Sequence, residues 1–242
     1  MEIVTSFFTD AFFFALFSRM RIFLLFLLFL FSGGLCYAQQ PQSWLIYFGQ
    51  SKFKDSKFSL HHEVQFRDHT LFGDHNQSLF RVGGQYQFKS YLQGTMGYGF
   101  IYSEQPGSPN FPTNEHRIYQ EALFSHGLKK SRIKHRVRLE ERFIDGQDFL
   151  GRFRYSFFID VPLTKRYFTE GGMYLAFYDE IFLNISDSDA IRPFDRNRLY
   201  GGFGYKLKDN IGLQLGYMMQ HVGSRSGTNH MLLSVHHTIN WR

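Results

Sequence analysis

Residues 133–143 read IKHRVRLEERF, and residues 152–161 read RFRYSFFIDV. In both stretches apolar and charged side chains take turns, as Arg138, Leu139 and Glu140 do. Successive side chains of a β-strand point to opposite faces, whereas a helix repeats its apolar residues about every 3.6 positions. These stretches therefore predict β-strands with one apolar face and one charged face.

The same period of two recurs along the chain from residue 44 to the C-terminus. It is clearest in residues 58–67, 78–88 and 229–241, where Phe, Val and Leu alternate with Arg, Glu, His and Gln. No segment has the pattern of an amphipathic helix, so we predict an all-β fold. The remaining predicted strands are 44–52, 92–103, 115–126, 167–180, 197–207 and 211–221.

The connections between these strands predict how the strands are arranged. Short turns are expected to alternate with longer connections, as in membrane barrels that have short periplasmic turns and long external loops. We predict an antiparallel transmembrane β-barrel of about 10–12 strands; the alternative is a soluble barrel, which can show part of this rhythm. The short turns are placed at 53–57, 89–91, 128–131, 163–166 and 208–210, and the longer connections at 68–76, 104–114, 144–150, 183–196 and 222–228.

Residues 44–52 do not fit this scheme easily. They would form an eleventh strand, whereas bacterial single-chain barrels normally have an even number of strands. The sequence leaves three alternatives for this segment: it lies along the barrel, it lies inside the barrel, or a further strand has gone unrecognised.

The N-terminal region predicts export. Met20 and Arg21 precede an apolar run over 22–31, and small residues follow up to Ala38, which is the order of a secretory signal peptide. The apolar run is short for an anchor helix, the alternative interpretation. We predict a misassigned extension at 1–19, a signal peptide at 20–38 cleaved after Ala38, and a single barrel domain at 39–242 located in the cell outer membrane.

The composition agrees with a barrel and narrows its partners. Aromatic residues make up 19% of the chain, yet the mean hydropathy is −0.28, as expected when lipid-facing residues occupy every second position. The net charge is +6. Because an exported protein does not meet nucleic acid, we expect outer-membrane lipids as partners and a small polar solute as a candidate ligand. The one cysteine, Cys36, falls within the predicted signal peptide, so no disulfide is expected.

Charges of both signs fall on the predicted inward face. Charges in a low-dielectric interior need partners, since an unpaired buried charge is costly. We expect these residues to form a network that fills the lumen and gives the protein a structural or binding role; the alternative is a small passive channel for polar or anionic solutes. The predicted network comprises Glu63, Arg67, Arg81, Glu115, Arg117, Glu121, Arg136, Arg138, Glu140, Arg142, Arg152 and Arg154.

Catalytic, cofactor-binding and metal-ligating residues are not predicted. Ser224, Ser226, His221 and His230 are the residue types of an outer-membrane lipid hydrolase, a third hypothesis. The surrounding sequence pattern does not match one, and these histidines are expected at the polar rim of the barrel. The stretch 184–189 is rich in oxygen ligands but lacks the glycine and final glutamate of a calcium loop.

Two stretches carry a resemblance to a known family. Residues 194–205 read FDRNRLYGGFGY and residues 213–220 read LQLGYMMQ, and the opening with Trp44 and residues 58–67 also fits. This pattern resembles the family called domain of unknown function 2490, over essentially the whole mature chain. The resemblance implies an exported bacterial outer-membrane β-barrel and implies no activity.

Overall fold

The computed structural model describes residues 41–165, 167–186, 192–223 and 227–241. The predicted extension at 1–19 and signal peptide at 20–38 lie outside the described residues. Every regular element in the described ranges is a β-strand, which confirms the predicted all-β fold. Within those ranges there is no helix of the length and apolarity needed to cross a membrane.

Eleven strands form one closed barrel, with sequence neighbours paired along the wall. The strands are 12–17 residues long. They are β1 (Gln42–Phe53), β2 (Phe58–Thr70), β3 (Gly73–Lys89), β4 (Leu92–Ser103), β5 (Thr113–Leu128), β6 (Ser131–Ile144), β7 (Leu150–Pro162), β8 (Met173–Asn184), β9 (Phe194–Lys208), β10 (Ile211–Val222) and β11 (Thr228–Trp241).

The barrel closes through a parallel pair between β1 and β11. Leu45 pairs with Leu233 and Tyr47 with Val235, while the other ten pairs of neighbouring strands are antiparallel. In an up-and-down barrel with an odd number of strands, the first and last strands run in the same direction. The segment 44–52 is therefore part of the wall, and the prediction of an entirely antiparallel barrel is wrong at this one seam.

Two connections differ most from the predicted lengths. The β2–β3 connection is only Leu71 and Phe72, because the two strands continue to pair as far as Thr70 and Gly73. The β7–β8 connection spans 163–172, so the predicted strand 167–180 begins too early. Its apolar Tyr167 and Phe168 resemble strand residues, but both have positive φ, which interrupts a strand.

The connections divide between the two ends of the barrel. We call the end with connections 54–57, 90–91, 129–130, 163–172 and 209–210 the turn end. The opposite end, with 71–72, 104–112, 145–149, 185–193 and 223–227, is the loop end. Three of the five turn-end connections have only two residues, whereas four of the five loop-end connections have five or more.

The two faces of the wall have opposite character, as the period of two predicts. Arg138 and Glu140 face inward and are 3% and 1% exposed, while Leu139 between them is 42% exposed on the outside. Large apolar side chains continue around the outer face in register, where Leu233 pairs with Leu45 and with Leu215. The outer face is thus apolar, and the inner face carries the charged residues beside a smaller apolar cluster.

Candidate functional site

The interior has an apolar side formed by the first strand and the last four. Tyr200 stacks on Tyr178 with ring centroids 4.7 Å apart. The paired Gly202 and Gly216 make room for the Tyr200 ring, because a Cβ at either position would lie within 2.3 Å of its hydroxyl oxygen. The buried members of this apolar side are Trp44, Ile46, Tyr174, Ala176, Tyr200, Met218 and Leu232.

Glu140 of β6 lies at the centre of the charged side. Its carboxylate contacts Arg152 at 2.5 Å and Arg154 at 2.6 Å, and Arg117 and Arg138 at 3.6 Å. Four guanidinium groups from three adjacent strands therefore surround one carboxylate that is 1% exposed. A charge buried this deeply is tolerated because it has several partners of opposite sign.

Glu180 of β8 is a second centre, which the sequence analysis missed. Arg136 and Arg154 each donate to its Oε1 at 2.6 Å, the Ser156 hydroxyl donates at 2.8 Å, and Arg198 lies 3.7 Å away. Arg154 thus joins the carboxylates of Glu140 and Glu180. The predicted strand 167–180 ends at this residue, and Glu180 is not among the predicted charges. It shares a face with Tyr178 and Phe182, two positions away on either side, and all three point inward.

The remaining predicted charges lie in smaller groups near these two centres. Glu115 accepts from Arg142 at 2.7 Å and from Arg117 at 2.6 Å. Arg138 contacts Glu121 at 2.5 Å, and Arg81 contacts Glu63 at 2.7 Å. The structure therefore brings eleven of the twelve predicted charges into ion pairs inside one barrel, and leaves one apart.

The exception is Arg67, which has no carboxylate within 4.0 Å among the described residues. It donates to the amide oxygens of Gln77 at 2.6 Å and Gln65 at 3.0 Å. Its guanidinium carbon lies 3.7 Å from the ring centroid of Trp44, and that of Arg198 lies 4.9 Å from the same ring. We call Trp44, Arg67 and Arg198 the arginine–tryptophan cluster.

Trp44 is 4% exposed, and its indole Nε1 has no hydrogen-bond partner in the described part of the chain. The indole also contacts His230 edge to face, with ring centroids 5.0 Å apart. His230 is 1% exposed, so the expectation that it lies at the polar rim is wrong. The residue lies inside because it occupies an inward position of β11, two residues from the strand's start.

A cavity of about 190 Å³ lies against this cluster, in the half of the barrel nearer the loop end. Nine arginines and three glutamates line it, so the lining carries an excess of positive charge. The arginines are Arg67, Arg81, Arg117, Arg136, Arg142, Arg152, Arg154, Arg196 and Arg198, and the glutamates are Glu63, Glu115 and Glu180.

A larger groove of about 730 Å³ lies on the outer face across β2–β6. Small residues at Gly84, Gly94 and Ala122 form its floor between large apolar side chains such as Tyr86 and Met96. Its walls are nearly all apolar and hold no group of ionisable side chains. The chemistry of the molecule is therefore concentrated in the inner cavity.

The other residues considered from sequence do not form a site in the described ranges. Ser224 and Ser226 lie outside the described residues, as does part of 184–189, and His221 is exposed against the Phe194 ring. Among the described side chains, no group of three or more His, Cys, Asp or Glu is placed to hold a metal ion.

The model of the family "Protein of unknown function (DUF2490)" matches residues 41–231, and the chain belongs to this family. The resemblance seen in the sequence is thereby confirmed. No curated protein matches the chain. The family description names no activity, so the function has to be inferred from the barrel and its interior.

Proposed function

We propose that this protein resides in the bacterial outer membrane and has a structural or binding role in the envelope, with its lumen closed by ion pairs. One observation carries the proposal: a closed barrel that is apolar outside holds Glu140 and four arginines in its interior. A water-soluble protein instead keeps most of its charged side chains at the surface and covers most of its large apolar ones.

The outer face supports the membrane location. Met96 is 65% exposed, Leu215 56% and Phe66 45%, and such residues recur around the barrel. Apolar surface of this extent is unfavourable in water and favourable against lipid tails. A closed barrel also satisfies the backbone hydrogen bonds of every strand within its wall, as lipid requires.

The lengths of the connections support an orientation. Membrane barrels have short periplasmic turns and longer external loops. The turn end would then face the periplasm and the loop end the outside. The cavity lies in the outer half of the barrel in this orientation.

The interior supports a closed lumen. A barrel of this size leaves little space once long side chains enter it. Arg154 joins Glu140 on β6 to Glu180 on β8, and Arg136 reaches Glu180 from two strands away. These contacts link three neighbouring strands of the wall through inward-pointing charged side chains, which take up space in the lumen.

A second candidate function is a small passive channel for polar or anionic solutes. The excess of arginine around the cavity favours it, since rings of cationic side chains select anions in pores. The two candidates differ in whether the unmodified protein conducts ions. We propose no catalytic reaction for either.

Planar-bilayer recording of the purified protein distinguishes them. We expect no large steady conductance, because the ion pairs occupy the lumen. Replacing Arg136 and Arg138 together by Ala should produce a leak, whereas Arg132→Ala at the turn end, where the side chain is 46% exposed, should not. Large stable openings with anion preference in the unmodified protein would establish the channel instead.

A further inference from the structure

We infer that the cavity beside the arginine–tryptophan cluster binds a small free oxyanion, such as a carboxylate or phosphate. This rests on the proposed function, because it assumes the binding role proposed above and not the purely structural one. It assigns a ligand class to the interior and names Trp44, Arg67 and Arg198 as the residues that contact it.

The first argument is the charge balance at the cavity. The three lining glutamates already have close partners, since Glu63 contacts Arg81, Glu115 contacts Arg142, and Glu180 contacts Arg154. No carboxylate of the described chain lies within 4.0 Å of Arg67. Arg198 lies 3.7 Å from the Glu180 carboxylate, which Arg136 and Arg154 contact more closely, at 2.6 Å. Arg67 is partly buried, and neutral amide oxygens rather than a carboxylate accept its hydrogen bonds. Its charge is therefore not neutralised by the chain, and an anionic ligand would stabilise this part of the barrel.

The second argument is the set of donors that have no acceptor. Trp44 lines the cavity and is only 4% exposed, yet its Nε1 donates to no atom of the described residues. Nε of Arg81, another lining residue, is also without a partner. Buried N–H groups are normally hydrogen-bonded, and oxyanions accept several such bonds from guanidinium and indole groups.

The size of the cavity limits the ligand. A volume of about 190 Å³ is below the range of about 300–1,000 Å³ typical of sites for larger organic ligands. Inorganic phosphate or a short carboxylate fits this space, and a nucleotide or sugar chain does not. Arg142 and Arg196, at the loop-end side of the cavity, keep 15% and 26% of their side-chain surface exposed, which gives a small solute an approach.

The chain provides its own probe for a test. It has two tryptophans, so Trp241→Phe leaves Trp44 as the single tryptophan, in contact with Arg67 and excited selectively over tyrosine at about 295 nm. This variant, folded in a neutral detergent, is titrated with inorganic phosphate while sodium chloride holds the ionic strength constant. We expect a saturable change in Trp44 emission, because a bound anion alters the charge next to the indole.

Matched variants in the same background test the assigned residues. Arg67→Gln and Arg198→Gln should each weaken phosphate binding by about tenfold or more, as loss of a charge-assisted contact predicts. Arg132→Gln removes the same charge away from the cavity and should bind phosphate unchanged. Slower migration after boiling confirms that each variant is folded before titration, and Arg198→Gln carries the test if Arg67→Gln does not fold.

Three results would overturn the inference: no saturable change with phosphate, binding unaffected by both arginine variants, or a response to the lipid dihexanoyl phosphatidate without a response to inorganic phosphate. The last would assign the cluster to a lipid headgroup. Failure here is distinguishable from failure of the proposed function. A closed barrel that ignores phosphate contradicts only the oxyanion site, whereas a conducting barrel that binds phosphate contradicts only the closed lumen.

Discussion

Replacing Glu140 by Gln tests whether the interior charges hold the barrel together. The change keeps the shape of the side chain but removes the negative charge from among Arg117, Arg138, Arg152 and Arg154, all within 3.6 Å. Leaving buried charges without their partner costs about 3–5 kcal/mol. Because whole domains are stable by only about 5–15 kcal/mol, such a loss should be easy to measure.

The assay is urea unfolding of the protein in lipid vesicles, with the folded fraction read from the difference in migration between folded and unfolded barrel. Glu141→Gln is the matched control, because it is the same change on the adjacent, outward-facing residue. Glu141 accepts one hydrogen bond from Gln120 at 3.2 Å, and glutamine keeps an oxygen that can accept it, so this replacement should cost no more than about 0.5–1.5 kcal/mol. Equal losses for the two variants would refute the role assigned to Glu140.

Three further predictions concern the outer face, the packing of glycine and a loop-end connection. Leu139→Arg should lower the free energy of unfolding in a bilayer by about 2–4 kcal/mol, and the control Leu139→Met by less than about 1.5 kcal/mol. Urea unfolding measures both changes. A loss within about 0.5 kcal/mol for the arginine variant would instead indicate a water-exposed surface. Gly216→Ala should lower the unfolding temperature because its Cβ would lie 2.3 Å from the Tyr200 hydroxyl oxygen, while Gly84→Ala, which meets open space, should not. Hydrogen bonds from Tyr102 and Asn110 lower the pKa of Glu104. The contacts should therefore be fully present above the ordinary Glu pKa of about 4.3 and weaken as the pH falls through the lowered pKa. An NMR titration that gives Glu104 an ordinary or raised pKa would contradict this.

The inside and outside of the barrel were predictable because the side-chain period of a strand is fixed at two. Arg138, Leu139 and Glu140 reveal their faces by alternation alone, whatever strands lie beside them. The same reasoning gave the polar face of each strand and twelve of the charges in the interior. These features depend only on neighbours along the chain.

The pairing of the charges and the closure of the barrel were not predictable in this way. Which carboxylate meets Arg154 depends on the register between β6, β7 and β8, and that register is set by contacts distant in sequence. The parallel seam between β1 and β11 follows from the total number of strands. The position of β8 was missed because Tyr167 and Phe168 belong to a connection that is as apolar as a strand.

The arginine–tryptophan cluster shows the same limit. Trp44 and Arg198 are more than 150 positions apart, and the sequence analysis noted each only within a stretch resembling the family. Closure of the barrel brings both to the Arg67 guanidinium. A site of this kind becomes visible only when the strands at the seam are placed.

Electrophoresis of the outer-membrane fraction, with and without boiling, tests the proposal that this protein is an exported outer-membrane barrel. We expect the mature chain, beginning at Gln39, in that fraction, and we expect it to migrate differently before and after boiling, because a closed barrel resists detergent until it is heated. Recovery of the protein in the soluble periplasmic fraction, with the same migration in both samples, would contradict the account.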